Sequence, residues 1–321
     1  MTRVAVLDDY QGRAREYADW GSLGDDVDVE FFRSPIAEDA LAETLAGFEI
    51  LVLMRERTAF PRRVLERLPA LRLVITTGMG NASVDLAYLR ERGIPMAGTQ
   101  GASAGAAGVS STTEVAWALI FAATKRVTIE DRALRAGVWQ RGLPGTLAGA
   151  TLGLAGLGRL GSEMVGPARA FGMDVIAWST NLSGERAAEV GVERVTKEEL
   201  LRRSDVLSIH LVLGGRSRGL FGAADLAQMK RTAVVVNTSR GPIIDEAALV
   251  DALTSGTIAA AGLDVYDREP LPADHPLLKV ENAVLLPHLG YANEATFRVM
   301  YGQVVEDIRA FLSGSPVRVI P

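Results

Sequence analysis

The chain contains no cysteine, which excludes disulfide bridges, thiolate metal sites and a thiol nucleophile. No run approaches the ~18 consecutive apolar residues that mark a membrane span. The first residues, MTRVAVLDDYQGRA, turn acidic and polar before a signal-peptide core forms. No basic excess is present either: 34 Lys and Arg against 39 Asp and Glu leave a formal charge of -5 and a pI near 5.4. Nucleic acid and anionic membrane surfaces are therefore not expected as partners. Histidine is scarce, at 3 in the whole chain, and neither His210 nor His275 has neighbours at metal-ligand spacing, so no metal is expected. These absences point to a cytoplasmic protein without a membrane role.

What is present is ordinary for a globular chain, with 48% hydrophobic and 23% charged residues over 321 positions. That length predicts two domains of roughly 150 residues each. Short apolar runs alternate with helical patterns at residues 4–7, 27–32, 50–54, 71–77 and 94–98, the signature of a parallel sheet covered by helices. A Gly/Ala/Ser-rich stretch at 98–111 reads as a connection, and a long apolar helix is predicted over 112–137. A second series of strands follows at 151–156, 173–179, 206–211, 233–239, 258–266 and 283–288. The last helix, about 294–312, comes after that sheet is complete and is expected to return to the first domain. The expected division is 1–99 with 294–321, and 100–293.

Within the second series, Gly156-Leu157-Gly158-Arg159-Leu160-Gly161 follows a strand and opens a helix, the context in which G-x-G-x-x-G binds a dinucleotide. Gly156 permits the tight turn, Gly158 lets a pyrophosphate approach the backbone, and Gly161 allows close packing of helix on strand. About 20 residues on, an NAD site normally presents an acid to the ribose 2'-hydroxyl. Here the strand ends in Ser179-Thr180-Asn181, with no acid until Glu185 and Arg186 as the nearest arginine. The expected cofactor is NAD or NADP, leaning slightly to NADP.

Three further residues stand at predicted strand ends. Arg240, in NTSRG, offers a planar fork for a substrate carboxylate and its carbonyl. His288, in LLPHLG, carries an imidazole whose ordinary pKa of ~6.5 suits reversible proton transfer. Glu269, in DREP, is the carboxylate available to hold that imidazole. Singly, each reads more plainly as a surface ion-pair former, a hydrogen-bonded histidine or a solvated loop acid. In this order behind a phosphate loop they describe hydride transfer on a small 2-oxo or 2-hydroxy acid. Trp117 and Phe121, four apart on a helix, read as core or interface.

The motifs SDVLSIHL, MKRTAVVVNTSRGPIIDEAAL, AGLDVYDREPLPADHPLL and LLPHLG, densest between Gly149 and Gly290, resemble those of the D-isomer-specific 2-hydroxyacid dehydrogenase family. The resemblance implies two doubly wound α/β domains, a Rossmann cofactor domain and a flavodoxin-like substrate domain, with a cleft between them. It assigns the substrate carboxylate and carbonyl to Arg240, the proton to His288 and its partner carboxylate to Glu269. It places Thr238, Ser239, Asp264 and Gly290 around the cofactor, Asp264 towards the nicotinamide. In the first domain it gives the substrate carboxylate to the amides of Met79 and Gly80 and makes Arg55 a second contact. It further implies a homodimer, for which the helix around Trp117 and residues 137–149 offer surface. Residues 212–217, Val-Leu-Gly-Gly-Arg-Ser, replace the usual proline and threonines, and Ala82-Ser83 replace the usual Asp-Asn. Glu269 disfavours formate dehydrogenases, which carry Gln there. The reading from another class is a non-catalytic dinucleotide sensor on the same scaffold.

Overall fold

Runs of buried Val, Ile and Leu form two parallel sheets in the computed structural model, which describes residues 1–100 and 110–321. The connection predicted at 98–111 falls, for residues 101–109, outside the described residues. The chain divides into two compact units, Met1–Ser103 with Asn293–Pro321, and Ala104–Ala292.

The first unit holds β1 (Thr2–Val6), β2 (Val27–Phe31), β3 (Ile50–Leu53), β4 (Leu73–Thr76) and β5 (Met96–Gly98), ordered β2-β1-β3-β4-β5. Every pairing between these five strands is parallel. β3 and β4 are buried at each residue, which is why they read as unbroken apolar runs rather than alternating ones. This is the flavodoxin-like order. Helix Glu294–Leu312 belongs to this unit; Asn293 caps it by accepting from the Thr296 amide at 2.9 Å. Its buried Phe297, Met300, Tyr301, Val304 and Ile308 recur three and four apart. Phe297 meets Tyr17 and Tyr301 meets Trp20, with centroids 5.9 and 6.1 Å apart.

The second unit holds β6 (Thr151–Ala155), β7 (Asp174–Trp178), β8 (Glu193–Arg194), β9 (Val206–Ile209), β10 (Val234–Asn237), β11 (Ala260–Leu263) and β12 (Ala283–Leu285). Their order, β12-β11-β10-β9-β6-β7-β8, contains the dinucleotide-fold arrangement with one strand added. The order reverses between β6 and β9, so the loops leaving those two strands flank the switch point where ligands bind in open α/β sheets.

Three local expectations fail for physical reasons. Most strands are shorter than their apolar runs, because residues at the run ends, mostly the last ones, leave the ladder to build loops, whereas β1 starts two residues before its run. β8 was not predicted: it is two exposed charged residues on a sheet edge, with no apolar pattern to betray it. The single helix predicted over 112–137 is two, Ser111–Thr124 and Val127–Arg135, divided at Arg126 in the left-handed conformation (φ 57°). The first is apolar almost all round and packs over β10 and β11, close enough that a Cβ on Gly262 would lie 2.8 Å from Leu119. The second is one-sided, so the two stripes call for different axes. Among the described residues no helix is long and apolar enough to cross a membrane.

Candidate active site

The glycine loop joins β6 to helix Arg159–Glu163. Gly156 sits at φ 104°, and a Cβ there would fall 2.4 Å from the His210 carbonyl oxygen. A Cβ on Gly161 would lie 2.1 Å from the Gly156 carbonyl oxygen. Both positions therefore require glycine for the protein's own packing. Gly158 differs, since a Cβ there would meet nothing within 4 Å. That open backbone is what a pyrophosphate needs. The helix breaks at Met164 because Pro167 has no N–H for the Glu163 carbonyl, and it resumes as Val165–Ala170.

At the end of β10 the hydroxyl of Thr238 is buried and has no hydrogen-bonding partner among the described residues. A buried unpaired hydroxyl is costly in a finished protein core and suits a ligand that completes it. Ser239 is otherwise engaged, donating to the Ile209 carbonyl at 2.8 Å. These features fit a dinucleotide.

Asn237 shapes the following turn, accepting from the Ser239 amide at 3.0 Å and donating to the Arg240 carbonyl at 2.9 Å. Gly241 then lies directly on the Tyr266–Asp267 peptide, where a Cβ would come within 2.0 Å of the Tyr266 carbonyl carbon. The loop carrying Arg240 and the loop carrying Glu269 are thus in backbone contact. Glu269 accepts from the Tyr266 amide at 3.0 Å and pairs with Nδ1 of His288 at 2.6 Å. Burial pushes the Glu269 carboxyl up, but the His288 hydrogen bond and charge, the Tyr266 amide and the Arg240 charge together hold it below its ordinary value. An ionised carboxylate only accepts, so Nδ1 carries the hydrogen and Nε2 is left for chemistry. The structure brings Arg240, Glu269 and His288 together in one unit.

His288 itself is left-handed, at φ 56°, a conformation that costs a non-glycine residue ~1–3 kcal/mol unless neighbours impose it. Asp264 does so: its carboxylate accepts from the Leu289 amide at 2.6 Å and the Gly290 amide at 2.8 Å. It is fully buried, and burial pushes its carboxyl above the ordinary value against those two bonds. Both of its oxygens are therefore turned to the His288 loop. Tyr291 packs edge-on to the imidazole, with centroids 5.3 Å apart.

One residue escaped sequence reasoning. Glu246 accepts from the Asp267 amide at 3.2 Å and from Nε2 of His275 at 2.9 Å, while Nδ1 of His275 accepts from the Leu277 amide. It ties both ends of the loop that carries Glu269 to helix Glu246–Thr254. Nothing in its spacing marks it; only the fold brings residues 246, 267 and 275 together.

In the first unit, the loop after β4 is braced by the Gly78 amide donating to Thr99 Oγ1 at 3.2 Å and by Asn81 donating to the Arg55 carbonyl at 2.6 Å. Gly78 adopts φ 134°, and a Cβ there would lie 2.9 Å from Nη1 of Arg55. Arg55 is thereby placed against the Gly78–Gly80 loop. The amides of Met79 and Gly80 donate to no acceptor among the described residues. Among the described residues, no group of three or more His, Asp or Glu is arranged to hold a metal ion.

The model of the D-isomer specific 2-hydroxyacid dehydrogenase NAD binding domain matches residues 117–290. A glyoxylate reductase from Aeropyrum pernix is 38% identical over 90% of this chain and 87% of its own length. The chain belongs to the D-isomer-specific 2-hydroxyacid dehydrogenase family. A D-3-phosphoglycerate dehydrogenase from Archaeoglobus fulgidus is 34% identical over 89% of this 2-hydroxyacid dehydrogenase chain, which spans only 54% of that relative. The crystal structure of a phosphoglycerate oxidoreductase from Vibrio cholerae superposes with a TM-score of 0.90 at 33% identity, covering 98% of this chain and 100% of that one. The two parallel-sheet α/β architecture of this 2-hydroxyacid dehydrogenase is the one found in those structures.

Proposed function

We propose that this 2-hydroxyacid dehydrogenase interconverts a small 2-oxo acid and the D-2-hydroxy acid, using NAD(H) or NADP(H). The observation that carries the reading is the Glu269–His288 pair at 2.6 Å with the Arg240 charge acting on the same carboxylate. When bound, the nicotinamide supplies or accepts the hydride. In reduction, Nε2 of His288 gives its proton to the carbonyl oxygen that becomes the hydroxyl, and Glu269 stabilises the imidazolium that precedes the transfer. Arg240 holds the substrate carboxylate in two-point contact and polarises the carbonyl. Met79 and Gly80 offer amides to the carboxylate, and Arg55 a further cation. Gly156, Gly158, Arg159, Leu160 and Gly161 cradle the pyrophosphate, while Thr238 completes its hydroxyl on the cofactor. Asp264 and Gly290 act here through the loop that sets His288. Relatives named glyoxylate reductase and D-3-phosphoglycerate dehydrogenase support a small 2-oxo acid as substrate. The test is oxidation of NADH and NADPH against glyoxylate, hydroxypyruvate, pyruvate and bulkier 2-oxo acids. Turnover with at least one small acid is expected, and inertness across the panel would refute the proposal.

The homodimer is part of the same reading. Its predicted surface needs one correction: Trp117 is buried in the core of its own unit, against Phe121 and Phe171. The exposed apolar side chains lie further along, at Val127, Leu134, Val138, Trp139 and Leu143, the last two 76% and 94% exposed. So much apolar area on one short stretch suits an interface with a second copy. Sedimentation at micromolar concentration should show a dimer that Trp139→Asp with Leu143→Asp dissociates; a wild-type monomer would exclude it.

A further inference from the structure

Residues 212–217, where the chain departs from its family's usual sequence, leave β9 on the far side of the switch point from the glycine loop. The loop is closed on itself by Ser217, whose buried hydroxyl donates to the Val212 carbonyl at 2.7 Å and accepts from the Gly214 amide at 2.8 Å. Arg216 lies within the segment that these two bonds close. Its Nη1 donates to Oδ1 of Asn181 at 3.4 Å, so the guanidinium stands at the end of β7, beside Ser179-Thr180-Asn181.

The surroundings separate Arg216 from the other nearby arginine. Arg186 is neutralised by Glu189 at 3.1 Å and turned to the glycine loop, donating to Ser162 Oγ at 2.9 Å and to the Leu157 carbonyl at 3.4 Å. Arg216 has no carboxylate partner among the described residues. The hydroxyls of Ser179 and Thr180 and the amide hydrogens of Asn181 likewise make no hydrogen bond to a described residue. An uncompensated cation and several open donors thus meet where an NAD site would place a carboxylate.

We propose that Arg216, with Ser179, Thr180 and Asn181, forms a subsite for the 2'-phosphate of NADP(H), supplied from the loop after β9 rather than from the end of β7. The inference rests on the dinucleotide reading of the glycine loop. A guanidinium binds a phosphate through charge-assisted hydrogen bonds, and a lysine keeps the charge while losing the planar fork.

Titration calorimetry with ADP-ribose and 2'-phospho-ADP-ribose isolates the phosphate, since the two probes differ in nothing else. Wild type should bind the phosphorylated probe roughly ten- to a hundredfold more tightly. Arg216→Ala should lose most of that preference with ADP-ribose affinity unchanged, and Arg216→Lys should retain part of it. Equal affinities in the wild type would overturn the subsite alone, because ADP-ribose binding upholds the dinucleotide reading. An undiminished preference in Arg216→Ala would equally overturn it, by placing recognition elsewhere. Failure of both probes to bind would remove the dinucleotide reading and the subsite with it.

Discussion

Replacing His288 with alanine is expected to lower kcat/KM for reduction by roughly 10²–10⁴-fold, the usual contribution of a positioned general acid. Dinucleotide affinity should stay within about twofold, because the pyrophosphate loop and Thr238 are built from other strands. The large effect follows from geometry. The Nδ1 hydrogen is committed to Glu269, so the remaining ring nitrogen is the one that can donate outward. Losing the imidazole also leaves the half-buried Glu269 with one partner fewer, which costs on the order of 1 kcal/mol of stability. Steady-state kinetics, calorimetry and a thermal melt on the same preparation separate these effects. A variant that binds cofactor and keeps more than a tenth of the wild-type rate would show that the proton comes from elsewhere.

Much of this site was legible in the sequence because its residues stand at the carboxyl ends of apolar runs. Strands buried on both faces announce themselves, and in a parallel sheet each of them leads into a loop at the ligand-binding edge. The glycine loop could be read to the level of individual glycines, and Gly156 and Gly161 do meet backbone where a side chain would stand. Less visible were contacts made by groups far apart in sequence. Glu246 is one more acid in the first turn of a helix, and its role appears only when residues 267 and 275 are folded against it. Asp264 could be picked out, yet the two amides it grips, 25 and 26 residues on, could not. The break at Arg126 was hidden for a related reason: continuous apolar residues report burial, while the direction of a helix axis depends on what covers it. Arg216 stood in a segment recognised only as unusual, and its meaning depends on the β6–β9 reversal that brings it to Asn181.

The second large effect is expected from Glu269→Gln, which preserves shape and removes charge. Hydrogen bonds to charged groups contribute ~1.5–3 kcal/mol, so loss of the charge should reduce kcat/KM roughly ten- to a hundredfold. The pH dependence gives a sharper signature. Glu269 is held below its ordinary value of 4.5 partly by His288, and its negative charge, 2.6 Å from Nδ1, attracts a protonated ring in a way the neutral amide of glutamine does not. Its contribution to stability is present above the ordinary carboxylate range and is lost only as pH falls through its lowered value, so this contribution does not change across the alkaline side. The imidazolium is the form that donates in reduction, and activity falls as rising pH removes its proton. Without the carboxylate that fall must begin earlier. The decisive measurement is kcat/KM for reduction of one active 2-oxo acid from neutral to alkaline pH, in wild type and Glu269→Gln, under conditions where chemistry limits the rate. An alkaline limb displaced to lower pH in the variant is the predicted result; superimposable limbs would contradict the pairing of Glu269 with His288 as the acid/base machinery.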